Sequence, residues 1–126
     1  YNVGTVRVSD YGIVSMNEGK IVSIVEKPSK EEAPSTYALC GRYVFAKDTF
    51  ELLDHYSVEE YGELQSIALM KHWMDSGHLH AHVLPDSVSW YDSGLPFEWL
   101  KSQIDHALRR PEYAEELQAW LNERLA

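Results

Sequence analysis

Ile24-Val25-Glu26-Lys27-Pro28 ends an apolar, β-branched run in a carboxylate, an ammonium and a proline. Ligands of open α/β sheets gather outside the carboxyl ends of strands, so a site is expected there. A carboxylate in that place accepts hydrogen bonds from sugar hydroxyls, and an adjacent lysine is a point charge suited to phosphate. By themselves the three residues also fit a solvated turn. His78, His80 and His82 alternate, which on a strand puts three imidazoles on one face, a zinc-like arrangement. Leu79, Ala81 and Val83 form the apolar alternative face, so the histidines are expected to point at solvent. His55, His72 and His106 lie on predicted helices without a partner motif and read as surface residues. Cys40 is the single cysteine, which excludes an internal disulfide and a thiolate metal site. In its apolar setting it reads as a small core residue.

The elements that must position these groups follow from periodicity. Tyr11 to Ser15 and Ile21 to Val25 read as strands joined through Asn17-Glu18-Gly19, and Pro28 ends the second. Residues 29–35 form a loop, and Ala38 to Ala46 is the next predicted strand. Asp48 is placed to cap a helix that carries Phe50, Leu52 and Leu53 inward and stops before Ser57. Leu64, Ile67, Ala68, Met70 and Met74 recur at helical spacing, and Gly77 ends that helix. Leu79 to Leu84 is predicted as a short strand. Pro96 opens a helix with Trp99, Leu100, Ile104 and Leu108 on one stripe; Pro111 breaks it before a last short helix with Tyr113, Leu117, Trp120 and Leu121. Trp73, Trp99 and Trp120 are expected to pack, although Trp99 and Trp120 facing outward would offer a face for a homo-oligomer. The order is mixed α/β in one unit, residues 1–126, ending in helices over 95–126. Three early strands with consecutive helices do not complete a doubly wound domain.

Composition narrows the function classes. A formal charge of −9 argues against nucleic-acid binding, which needs clustered Lys and Arg, yet leaves room for a small phosphorylated ligand held by one lysine. No run approaches the about 18 apolar residues that a membrane span requires. The start lacks the basic and apolar regions of a signal peptide, so a cytoplasmic protein is expected; an opening Tyr1 suggests that more chain lies upstream in a parent protein.

Several segments, in order and at similar spacing, resemble the bacterial UTP–glucose-1-phosphate uridylyltransferases of the sugar nucleotidyltransferase superfamily. They are Tyr11-Gly12-Ile13-Val14, Val25-Glu26-Lys27-Pro28, Glu32-Ala33-Pro34-Ser35, Gly41-Arg42-Tyr43-Val44, Gly62-Glu63-Leu64-Gln65, Tyr91-Asp92-Ser93-Gly94 and Ala107-Leu108-Arg109-Arg110-Pro111. The resemblance runs from about Asp10 to Tyr113. It implies the C-terminal portion of a Rossmann-like nucleotidyltransferase fold, a mixed sheet flanked by helices, without the N-terminal nucleotide-binding half.

The resemblance also implies roles. Gly12 approaches the sugar without a side chain, Glu26 binds sugar hydroxyls and Lys27 binds the sugar phosphate. A backbone carbonyl near Leu39 and the ring of Tyr43 line the same pocket. Asp92 binds Mg²⁺, shared with a carboxylate outside this chain, with Trp90 beside it; from the residues alone Asp92 reads as an N-cap or a turn residue. Lys27 and Asp92 are thus the expected catalytic pair, a sugar-1-phosphate and a nucleotide-sugar the expected partners, and the parent protein an enzyme. The chain alone is expected to be inactive. Gly4-Thr5-Val6-Arg7 echoes the family's Gly-Thr-Arg triphosphate loop but leads into a β-rich run without the helix such a loop needs.

Departures from the family leave alternatives open. Ser66-Ile67 stands where the family usually has a Thr-Asp pair near the sugar, and Leu95-Pro96 resembles the wider superfamily. A thymidylyl- or guanylyltransferase piece, or a non-catalytic interaction module on the same scaffold, fits these positions too.

Overall fold

A computed structural model describes residues 1–55, 57 and 66–126. The Gly62-Glu63-Leu64-Gln65 segment and Leu64 as a helical position lie outside the described residues. The chain falls into two compact units, residues 1–85 and 86–126.

The first unit is built on a three-stranded antiparallel sheet in the order β2-β1-β3, with β1 at Gly12–Asn17, β2 at Lys20–Glu26 and β3 at Tyr37–Ala38. The hairpin between β1 and β2 turns on Glu18 and Gly19, both with positive φ (50° and 80°), while Asn17 and Lys20 face each other. Two positive φ values match the primed turn whose twist agrees with that of the strands, and glycine takes the second without steric cost. This two-residue connection makes β1 and β2 antiparallel neighbours. β3 also pairs with β1 antiparallel, so the described part of the expected sheet is antiparallel, with helices flanking it as expected.

A single 3-10 turn, Val8–Asp10, leads into β1. β1 is the middle strand and its successive residues Ile13 and Val14 are both buried, so both faces of the sheet are covered there. Val8, Tyr11, Ile21, Ala38 and Met70 are buried with them. Met70 belongs to α2 (Ser66–Asp75), which packs on β2. That helix ends as Gly77 predicts: Gly77 N–H reaches the Met74 carbonyl (2.9 Å) and His78 N–H the Trp73 carbonyl (2.8 Å), the paired bonds of a Schellman cap.

Two predicted strands are not formed as such. Of Ala38 to Ala46 only Ala38 pairs within a strand, because Arg42 N–H folds back to the Cys40 carbonyl (2.7 Å) and turns the chain off the sheet. Of Leu79 to Leu84 only His80 makes a bridge, to Lys20. Ile21 N–H bonds Leu79 O and Ala81 N–H bonds Gly19 O (both 2.9 Å), and beyond Ala81 the facing strand has already entered its hairpin turn. The helix α1 is only Thr49–Asp54, and Asp48 at its start makes no side-chain cap. Thr49 takes its buried position and Phe50 faces solvent, contrary to the inward placement expected.

The second unit pairs α3 (Pro96–Leu108) with α4 (Ala114–Leu125). Ile104, Leu108, Leu117 and Leu121 are half-buried. Trp99 and Trp120 are half exposed rather than packed, with Arg124 stacked on Trp120 at 5.5 Å. No helix among the described residues is long and apolar enough to cross a membrane.

Candidate functional site

Gly12 opens the central strand, and its two neighbours in the sheet are the ends of the flanking ones. Gly12 faces Glu26, the last residue of β2, and its carbonyl accepts the N–H of Leu39 (2.9 Å), which follows β3. A methyl group on Gly12 would lie 2.8 Å from Glu26 Oε2 and 3.7 Å from Leu39 Cδ1. The missing side chain therefore makes a notch into which the Glu26 carboxylate leans. The strand return that carries Leu39 is tied by Ser35, whose hydroxyl donates to the Val14 carbonyl (2.5 Å) and accepts from Tyr37 N–H (2.9 Å).

Lys27 follows at once. Its N–H donates to the Tyr11 carbonyl (3.0 Å), extending the ladder by one pair, while its backbone turns to φ 45°. A lysine in the left-handed region carries strain, and such residues cluster at ligand sites. Pro28 next to it is buried, so the turn is anchored while the Lys27 side chain stays exposed. Nothing in the sequence announced this positive φ.

Tyr43 joins the same neighbourhood without a strand to carry it, its ring 5.9 Å from that of Phe45. Tyr43 is 40% exposed, and the covering of the rest pushes its phenol above the ordinary 10.0; a hydrogen bond with Ser66 opposes the shift, and the Cys40 and Glu26 charges add to it. Ser66, singled out only as a departure from the family's Thr-Asp pair near the sugar, opens α2 and bonds the Tyr43 phenol, while Cys40 is half-buried rather than in the core and was expected only to pack. Ser66 is distant from Tyr43 in sequence, and nothing in the sequence pairs either residue with the phenol. The causes fix the sign of a titration. A phenol with a raised folded pKa favours the folded state below 10 and loses that advantage as pH rises through the folded value. Absorbance titration of Tyr43 should move further up in Ser66→Ala and back down in Glu26→Gln.

Asp92 and Trp90 lie in the second unit. Asp92 Oδ1 accepts Gly94 N–H (2.9 Å) and its carbonyl accepts Leu95 N–H (3.1 Å), which makes it the turn residue ahead of α3 and not its N-cap. Ser89 accepts a bond from Arg109 (2.7 Å), pinning the segment that holds Trp90 and Asp92 to the end of α3. Trp90 is half-buried. Among the described residues no three His, Cys, Asp or Glu side chains are gathered for a metal. His78 Nδ1 lies 3.2 Å from Ser76 Oγ with its ring against Trp73, so the strand that was to align the three histidines is absent.

Residues 2–105 match the family model described as Nucleotidyl transferase. The chain belongs to the nucleotidyl transferase family. A UTP–glucose-1-phosphate uridylyltransferase of Streptococcus pneumoniae serotype 4 is 31% identical over 120 residues, 90% of this chain and 40% of that protein. The Bifunctional protein GlmU of Methanococcus maripaludis is 31% identical over 94 residues, 74% of this chain and 22% of that protein. The solved structure of UTP-bound UGPase from Acinetobacter baumannii superposes with a TM-score of 0.77 at 25% identity, covering 96% of this chain and 42% of that one. This nucleotidyl transferase chain thus spans about 40% of the length of the uridylyltransferases it matches. Its small sheet flanked by helices is part of the nucleotidyltransferase fold.

Proposed function

We propose that this nucleotidyl transferase chain forms the sugar-phosphate side of a UTP–glucose-1-phosphate uridylyltransferase. In that reaction a phosphate oxygen of glucose-1-phosphate attacks the α-phosphorus of UTP; the new P–O bond forms as the bond to the β-phosphate breaks and pyrophosphate leaves. The observation that carries the reading is the Gly12 notch, which sets the Glu26 carboxylate and the Leu39 turn beside an exposed lysine. The names of the uridylyltransferase relatives support the choice of base and sugar.

Each residue has a task that its surroundings allow. Glu26 accepts hydrogen bonds from glucose hydroxyls, and Gly12 leaves room for the ring to approach the strand. Lys27 places its ammonium at the sugar phosphate, offsetting the repulsion of two polyanions that must come in line. Tyr43 lines the sugar side. Asp92 fits a Mg²⁺ role: it is an oxygen donor, one oxygen is spent on the turn, and Mg²⁺ takes only one or two carboxylates with waters. When bound, the ion supplies positive charge to the phosphates and needs a further carboxylate from the rest of the fold. These residues bind by themselves; turnover needs the remainder of the enzyme.

The test is an NMR titration of the chain with glucose-1-phosphate and with UDP-glucose. Shifts centred on Gly12, Glu26, Lys27 and Leu39 are expected for both ligands, weakened at least tenfold in Glu26→Gln, as loss of a charged hydrogen-bond partner predicts. No shift at millimolar ligand would overturn the reading.

A further inference from the structure

Arg7 closes a segment that only echoes a phosphate loop, and among its contacts are both Tyr11 and Asp10. Its Nη2 donates to the Tyr11 hydroxyl, its guanidinium carbon lies 5.1 Å from the Tyr11 ring centre, and its Nε stands 3.5 Å from Asp10 Oδ2. Asp10 and Arg7 are also the two ends of the 3-10 turn, joined by Asp10 N–H to the Arg7 carbonyl (3.1 Å). One guanidinium therefore closes the turn and holds the first side chain after it. Tyr11 is 9% exposed, so its ring has little freedom to move.

The main chain of the same tyrosine is what Lys27 hangs from. Lys27 N–H donates to the Tyr11 carbonyl, and this bond stands at the point where the backbone turns to φ 45° ahead of buried Pro28. A strained conformation persists only where its surroundings over-determine it. We propose that Arg7, acting through Tyr11, is a positioning residue that fixes the Lys27 turn and so aims the lysine at the sugar phosphate. The role of Lys27 rests on the function proposed above; the mechanical link from Arg7 to the turn does not.

The experiment compares the wild-type chain with Arg7→Ala, Arg7→Lys, Tyr11→Phe and Lys27→Gly. Two measurements are made: hydrogen exchange of the Lys27 amide without ligand, and affinity for glucose-1-phosphate. Losing one hydrogen bond to a charged group should speed Lys27 exchange and weaken glucose-1-phosphate about tenfold in both Arg7→Ala and Tyr11→Phe. The Ile13 amide, in the buried strand beside the turn, should keep its exchange rate, which a general loss of stability would not allow. Arg7→Lys, which keeps a cationic donor, should recover part of both effects. Should Arg7→Ala fail to fold, Tyr11→Phe decides, since it removes one oxygen from an otherwise unchanged ring. Lys27 exchange and affinity both unchanged in Tyr11→Phe, with Lys27→Gly still losing the ligand, would overturn the positioning role and leave the proposed function standing. Wild-type chain that ignores glucose-1-phosphate, or Lys27→Gly that binds it normally, removes the proposed function and the aiming role together.

Discussion

Lys27→Gly should make the chain more stable and cost it its phosphate ligand. Lys27 sits at φ 45°, where a side chain is penalised by about 1 kcal/mol or more and glycine is not. Glycine gives back part of that through the larger entropy of its unfolded chain, so the net gain is expected at a few tenths to about 1 kcal/mol. The N–H bonded to the Tyr11 carbonyl is kept, so the hairpin end is not broken. What disappears is one exposed ammonium. A charged hydrogen bond to phosphate is worth about 2 kcal/mol, which is roughly thirtyfold in affinity. Thermal unfolding and a glucose-1-phosphate titration of the same sample read both effects. A variant that is less stable, or that binds as before, would sever the connection between the strain and the ligand. Opposite signs are the signature of a residue kept for function against the preference of its backbone.

That strain marks the limit of what sequence reading reached at the site. The Glu26-Lys27-Pro28 segment was legible because a proline must end a ladder and a charge pair at a strand end is unusual in an apolar run. The hairpin was legible for a similar reason, since Gly19 follows β-branched residues at the right interval. Gly12 entered only through family likeness: a glycine beginning a strand has no pattern of its own, and its meaning lies in a carboxylate that is fourteen residues away in sequence and next to it in the sheet. The strand expected over Ala38 to Ala46 failed because its apolar character said nothing about a partner. Leu39 still finds Gly12, but the Cys40–Arg42 turn then takes the chain away, and this is what frees Tyr43 to approach Ser66. Local propensity was right about the composition of that segment and wrong about its pairing.

Gly12→Ala should separate folding from binding in the other direction of size. The added methyl meets Glu26 Oε2 at 2.8 Å, closer than real contacts allow. The atom it meets is the tip of a long, exposed side chain, which can swing aside at little cost. Leu39 Cδ1 at 3.7 Å is ordinary contact and adds a little packing. Alanine is also favoured over glycine inside a strand by about 0.5 kcal/mol, so the unfolding midpoint is expected to stay level or rise slightly. Binding fares differently, because the one motion that relieves the clash carries the carboxylate out of the notch. Glucose-1-phosphate and UDP-glucose should both weaken by at least tenfold, the value of a lost charged acceptor, before any steric conflict with the sugar is added. Glu26→Gln in the Gly12→Ala background then supplies the check. If the methyl acts by displacing the carboxylate, the second change adds little to the first, since coupled neighbours are not additive. Full additivity would mean that Gly12 and Glu26 serve the ligand independently, and the notch would drop out of the proposed function.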